Sequence, residues 1–159
     1  MSDDPLMDRI TAAIGKLHSG DKQTARIDLA GIWQDMGEDA DPFHVCVLSH
    51  YMADLQEDLA DELEWDRRAL VAADRVSDDR AKRHHASLSI KSFYPSLHLN
   101  LGDALLRSGQ VGEAREQLRL ARAASQDLMD TPLGQMTLKG IEGLEVRIEQ
   151  AERETPDPS

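Results

Sequence analysis

Ser96-Leu97-His98-Leu99-Asn100-Leu101-Gly102-Asp103-Ala104-Leu105-Leu106-Arg107-Ser108-Gly109 continues as Gln110-Val111-Gly112-Glu113-Ala114-Arg115-Glu116-Gln117-Leu118-Arg119-Leu120-Ala121. Leu101 and Leu105 fall one helical turn apart. Ala114, Leu118 and Ala121 repeat that spacing beyond Ser108-Gly109, so the stretch predicts two amphipathic helices joined by a tight turn. The rest of the chain is aligned through this hairpin.

The surrounding composition agrees. In 159 residues, 40% are apolar but only 4% aromatic, and β-branched residues are sparse beside Ala, Leu, Asp, Glu and Arg. Unbranched side chains lose little rotamer freedom on a helix, so the mixture favours an all-α fold. The formal net charge is −12. Residues 1–80 carry 8 Lys+Arg against 19 Asp+Glu, whereas residues 81–159 carry 10 against 11. Nucleic acid normally requires a basic surface, so no nucleic-acid partner is expected. An acidic half is ordinarily a solvated face; the functional alternative is a surface that meets a basic partner. The acidic start, the lack of a membrane-length apolar run and the lone Cys46 predict a soluble cytoplasmic protein without a disulfide.

In chain order, helices are expected over about Pro5–Leu17 and Lys22–Met36, with Ala25, Leu29, Ile32 and Trp33 on one face of the second. A third opens at Asp41-Pro42, an N-cap acceptor followed by a residue suited to the first turn. It is apolar nearly all round, and therefore deep. A fourth starts near Asp58, with Trp65 at an edge. Residues 74–94 break the pattern: a turn, then the basic run Lys82-Arg83-His84-His85, then Phe93-Tyr94-Pro95. Helices then follow over about Pro95–Ser108 and Val111–Leu128. The last begins at Thr131-Pro132 and reaches about Arg153, and a disordered tail occupies 155–159. Gly140 and Gly143 lower the propensity of this last helix, a cost that close approach to a neighbouring helix would offset.

Leu101-Gly102, Leu105, Gly109, Ala114, Leu118 and Ala121 resemble the small-and-large pattern of a tetratricopeptide (TPR) repeat. The chain is similar to small bacterial TPR proteins, with hairpins over about 6–37, 43–74 and 95–128. Residues 74–94 form an insertion and 132–153 a capping helix. In the first hairpin Ala13 and Ala25 take the small positions; in the second, His50 and Glu62 stand where small residues are usual. The resemblance implies one domain over 5–154, a short right-handed solenoid with a shallow inner groove. Carried over by position, that groove is lined by Met7, Ile10 and Ile14, then His44, Val47, Tyr51 and Asp54, then Ser96, Leu99, Asp103 and Arg107. Asn100 lies beside the line and Tyr94 at its junction with the insertion. The basic and amide residues that clamp a peptide carboxylate in some TPR proteins have no match here.

Candidates for chemistry are few. Cys46 and His50 stand four apart, a workable metal-ligand spacing, and His84, His85 and His98 are the other tempting ligands. The TPR resemblance implies that positions 46, 50 and 98 fall where helices pack within a repeat, so no metal or cofactor is expected. A thiol inside an apolar helix is inert rather than activated. Gly109-Gln110-Val111-Gly112 lacks the lysine of a phosphate loop. The expected function is thus a non-catalytic protein-interaction module or adaptor that holds a peptide or helix in its groove. Lys82, Arg83, His84 and His85 either dock back on the acidic half or contact the partner. The alternative is a small-ligand-sensing or metal-dependent enzymatic domain that uses the histidine-rich insertion. Self-association as a homodimer stays open as a third arrangement.

Overall fold

The computed structural model describes residues 4–37, 39–76, 90–128 and 130–154. The described residues form seven α-helices: α1 (Pro5–His18), α2 (Lys22–Met36), α3 (Pro42–Ala53), α4 (Leu59–Asp74), α5 (Ile90–Arg107), α6 (Val111–Ser125) and α7 (Pro132–Glu154). A 3₁₀ turn at Gln126–Leu128 follows α6. No strand occurs among the described residues, so the expectation of an all-α chain holds. The chain divides into two compact units, Met1–Ser89 and Ile90–Ser159. That division falls inside the segment set apart above as an insertion. Lys82, Arg83, His84, His85 and the tail 155–159 lie outside the described residues.

In the first unit, α1 pairs with α2 and α3 with α4, and both helices of the first pair touch α3. Each helix opens on an aspartate whose carboxylate takes up an otherwise unpaired backbone N–H. Asp4 accepts from Met7 and Asp41 from Phe43; Asp21 accepts from Thr24 and Asp58 from Ala60. Asp4 and Asp41 are 37 positions apart, and so are Asp21 and Asp58. The two hairpins therefore start their helices in one register. Arg9–Asp35 and Lys16–Asp28 ion pairs mark the antiparallel course of α1 and α2. Ile10, Leu29, Ile32, Phe43 and Leu48 are fully buried, and α3 buries eight of its twelve residues. It is the deep helix its composition predicts.

In the second unit α5 starts at Ile90, five residues before the expected Pro95. Proline removes only its own N–H and crowds the carbonyl four residues back. Here that loss falls within the first two turns and is offset by burial of the Pro95 ring. The turns after α1 and α5 are the same device. Gly20 (φ 96°) and Gly109 (φ 85°) adopt the left-handed conformation. Gly20 N–H donates to Leu17 and Asp21 N–H to Lys16, as Gly109 N–H does to Leu106 and Gln110 N–H to Leu105. Both are Schellman turns, which close a helix and send the chain back beside it.

The α-helical part of α6 stops at Ser125, where Ser125 Oγ donates back to the Arg122 carbonyl, and the 3₁₀ turn completes the expected span to Leu128. Thr131 then caps α7 through Gly134 N–H. Gly134 has no freedom to carry a side chain, since a Cβ there would sit 1.7 Å from the Leu128 carbonyl oxygen. Helix α7 runs antiparallel to α6, as the pairs Arg115–Glu152 and Arg122–Glu145 show. It runs parallel to α5: Leu99 meets Gly140, Gly102 meets Leu144, and Asp103 bonds Arg147. The close approach expected of Gly140 is present, with Leu99 Cδ2 only 2.5 Å from where its Cβ would stand; Gly143 faces open space.

Candidate functional site

The first unit contains a cavity of about 480 Å³ where the C-terminal half of α2, the start of α3 and the C-terminal half of α4 converge. Its size lies within the ~300–1,000 Å³ typical of ligand sites. Helix α2 ends at Met36, and Gly37 (φ 72°) turns the chain away. Asp41-Pro42 then restarts it as α3, so the wall between α2 and α3 is short backbone with small side chains at Gly37, Ala40 and Pro42. Val45 supplies the α3 wall. Helix α4 contributes Arg68, Val71, Ala72 and Arg75, which share one face because three-, four- and seven-residue steps return to the same side.

Trp33 anchors this cavity. It packs edge-to-face on Trp65, with ring centroids 5.1 Å apart at 77°, an arrangement the aromatic quadrupole favours. The Arg68 guanidinium carbon lies 4.3 Å from the Trp65 ring centre and 5.0 Å from that of Trp33. The two indoles thus fix the direction of the cation, a contact worth roughly 0.5–1 kcal/mol at a partly exposed site. Arg68 Nη2 also donates to Glu64 Oε1 at 3.1 Å. Arg75 is the C-cap of α4, held by its N–H on the Ala72 carbonyl. Val71, between the two arginines, is 61% exposed.

A second cavity, about 520 Å³, is lined by Lys22, Gln23, Arg26, Asp54, Leu55, Gln56 and Glu57. Arg26 Nη2 donates to the Leu55 carbonyl at 2.7 Å, so its cation is engaged in holding the α3–α4 turn. Burial raises the Asp54 carboxyl above its usual range, against the lowering influence of Lys22. Its described lining mixes both charge signs and includes no aromatic side chain.

The residues expected along an inner groove meet varied fates. Met7, Ile10, His44 and Val47 are all buried, Val47 to 2% exposure, and so do not line an open surface. The correction has a physical basis: α1 and α3 bury those faces against each other and their hairpin partners. His44 shares a 2.8 Å hydrogen bond between Nε2 and Asp4 Oδ2, tying α3 to the cap of α1. Tyr51 is half-buried, edge-on to His50 and His18, and Asp54 is the C-cap of α3. In the second unit Tyr94 stacks on His98, whose Nδ1 pairs with Gln117 Oε1 at 2.7 Å. Leu99 packs on Gly140 and Asp103 is shared by Arg107 and Arg147. At these two positions α5 borders α7, and both residues are half-buried. Ser96 and Asn100 are partly exposed on α5.

The tempting catalytic groups are quiet. Burial, reinforced by Asp74, pushes the Cys46 thiol up to about 12. Burial lowers His50 to about 4, leaving a neutral imidazole at neutral pH. Among the described residues no group of three or more His, Cys, Asp or Glu side chains converges as metal ligands. No helix among them is long and apolar enough to cross a membrane.

The sequence placed Trp33 on a buried face and Trp65 at an edge but did not bring them together, nor did it mark Arg68 or Arg75. A usable signal was present: the two tryptophans are the only ones in the chain. Each lies on the second helix of its hairpin, Trp33 twelve residues after the Asp21 cap and Trp65 seven after the Asp58 cap, and Arg68 follows Trp65 by one turn. No family model, curated protein or solved structure matches this chain.

Proposed function

We infer that this chain is a non-catalytic binding module built of helical hairpins on a TPR-like plan. Its ligand is a protein segment that seats in the Trp33–Arg68 cavity of the first unit. The observation that carries this reading is the cavity's composition: tryptophan and arginine beside an exposed valine, over a floor of small apolar groups. Tryptophan and arginine dominate the energetics of protein–protein contacts, because they combine large desolvated area with directional polar edges. The repeat plan is supported by the 37-residue recurrence of the aspartate caps, the paired Schellman turns and the parallel course of α5 and α7. Gly102 supports it too, since its Cβ position lies 3.5 Å from the Ala114 carbonyl oxygen, as the small-residue crossing requires. A deeply buried, protonated Cys46 and a neutral His50 favour binding over nucleophilic or acid–base chemistry.

The test is selection of peptides from a display library on the full-length protein, followed by measurement on Val71→Asn. Val71 is exposed enough that the change leaves the fold intact. Selected peptides that bind the parent protein and lose affinity for the variant support the reading. An empty selection, or peptides indifferent to Val71, refutes it.

A further inference from the structure

We propose that the occupant of the Trp33–Arg68 cavity is an acidic segment. It carries an apolar side chain between two carboxylates about 10 Å apart. The inference rests on the binding-module reading above and specifies its ligand.

The argument begins with charge. Residues 1–80 carry a net charge of −11, so an arbitrary cavity in this unit would be expected to have acidic walls. Among the described residues lining this one, the charged groups are Arg68 and Arg75 alone. The acidic half of the sequence reads as a solvated face or as a surface for a basic partner; the described lining of this cavity has the opposite sign. Two cations in the described lining set the local sign, so at contact distance an acidic segment is paired by the cavity while a basic one is repelled by it.

Geometry gives the spacing. Arg68 and Arg75 are seven residues apart on one face of α4, a rise of about 10.5 Å. Val71 lies between them, with Ala72 beside it and Trp33, Pro42 and Val45 opposite. A chain extended in the polyproline-II form rises about 3.1 Å per residue with three residues per turn, so side chains at n and n+3 return to one face about 9 Å apart. Carboxylates at positions n and n+3 can therefore each meet one guanidinium, with the apolar side chain between them over Val71. Arginine suits this task because its planar fork binds carboxylate with two parallel hydrogen bonds.

The arginines differ in readiness. Arg68 is pre-aimed by the two indoles but shares a proton donor with Glu64. The Glu64 side chain is 66% exposed and the pair is a single-turn contact, so an incoming carboxylate displaces it at small cost. Glu64 thereby acts as a placeholder for the ligand. Removing its charge strengthens binding instead of weakening it, an effect that a purely structural role for the Arg68 pair does not produce.

The experiment uses the full chain and three acetylated, amidated peptides flanked by Gly-Ser. Their centres are Glu-Leu-Phe-Glu, Gln-Leu-Phe-Gln and Lys-Leu-Phe-Lys. The readout is the pair of indole N–H signals of Trp33 and Trp65 in a proton–nitrogen correlation spectrum, titrated at low salt. The expected result is movement of both signals by the acidic peptide, with affinity at least about ten-fold above its Gln twin, corresponding to two charge-assisted contacts. Affinity falls at least about five-fold in Arg75→Gln and rises about two-fold in Glu64→Gln, the size of an exposed single-turn ion pair. Equal binding of the acidic and Gln peptides overturns the acidic specificity while leaving the binding-module reading intact. Stronger binding of the Lys peptide overturns it as well. If no peptide moves the indoles but decanoate does so in an Arg75-dependent way, the cavity takes a small amphiphile and both readings fall.

Discussion

Gln110 occupies the N-cap of α6 with backbone angles of φ −91° and ψ 69°, almost those of Asp21 at the N-cap of α2, φ −90° and ψ 71°. Asp21 accepts from Thr24 N–H, whereas Gln110 makes no side-chain cap and instead donates to Ser108 Oγ at 2.8 Å. Gln110→Asp should therefore place a carboxylate where the Glu113 N–H is waiting. A good cap contributes about 1 kcal/mol, and the negative charge adds roughly 0.3–1 kcal/mol at the positive end of the helix. Against this stand the exposed Ser108 bond, worth about 0.5 kcal/mol, and repulsion from Glu113 and Glu116, roughly 0.3–0.5 kcal/mol. The net expectation is a gain of about 0.5–1 kcal/mol. Urea unfolding followed by far-ultraviolet circular dichroism is the assay, with Gln110→Ala as control for loss of the Ser108 bond. With an m-value near 1.5 kcal/mol/M, the midpoint should rise by about 0.3–0.7 M at unchanged slope. Hydrogen exchange at Glu113 N–H should slow in parallel. An Asp variant no more stable than the Ala control would refute the reasoning, since it would mean that residue 110 does not present its side chain to the helix end.

Glycine substitutions on α7 should split by site. Gly134→Ala drives a methyl into the Leu128 carbonyl and should cost about 1–3 kcal/mol, read by the same unfolding assay. Gly143→Ala meets open space and should gain about 0.5–1 kcal/mol from helix propensity. The depressed His50 gives the acid dependence its sign. A group whose folded pKa of about 4 lies below its unfolded value near 6.5 binds more protons when unfolded. Its contribution is therefore fully present above pH 6.5 and is lost as pH falls toward 4, by at most ~3 kcal/mol. Unfolding midpoints across that window should fall more steeply for the parent than for His50→Gln, and parallel curves would refute a buried neutral imidazole. Cys46, fully buried with its thiol pushed up to about 12, should react with a disulfide reagent at pH 8 only at the rate of opening. Immediate labelling of the folded protein would contradict its placement.

The fold was legible where local chemistry decides it. Asp-Pro at residues 41–42 announced a helix start, and Asp58 marked another. Ser-Gly at 19–20 and 108–109 announced helix ends, because only a residue without a Cβ enters the left-handed turn cheaply. The start of α5 was misread for the same local reason. Proline forbids its own hydrogen bond, and only the burial of the Pro95 ring shows that the loss was affordable six residues into a helix. The groove residues were transferred by position from a repeat pattern, which fixes spacing along a helix but not which neighbour covers each face. His44 and Val47 are covered, whereas Leu99 and Asp103 are half-buried beside α7.

By itself, the sequence determined the all-α class, the caps, the hairpin turns and the inertness of Cys46. Each depends on residues within a turn or two of one another. Only the tertiary structure decided which helix faces remain open, and it brought Trp33, Arg68 and Arg75 to a single cavity, with Trp65 packed against Trp33 and Arg68. Those four come from two hairpins whose contact is set by side-chain packing across more than thirty residues of chain. The charged side chains among the described lining of that cavity are arginines, opposite in sign to the half that contains it. What matters to a ligand is the handful of charges within a few ångströms, and the fold selects them.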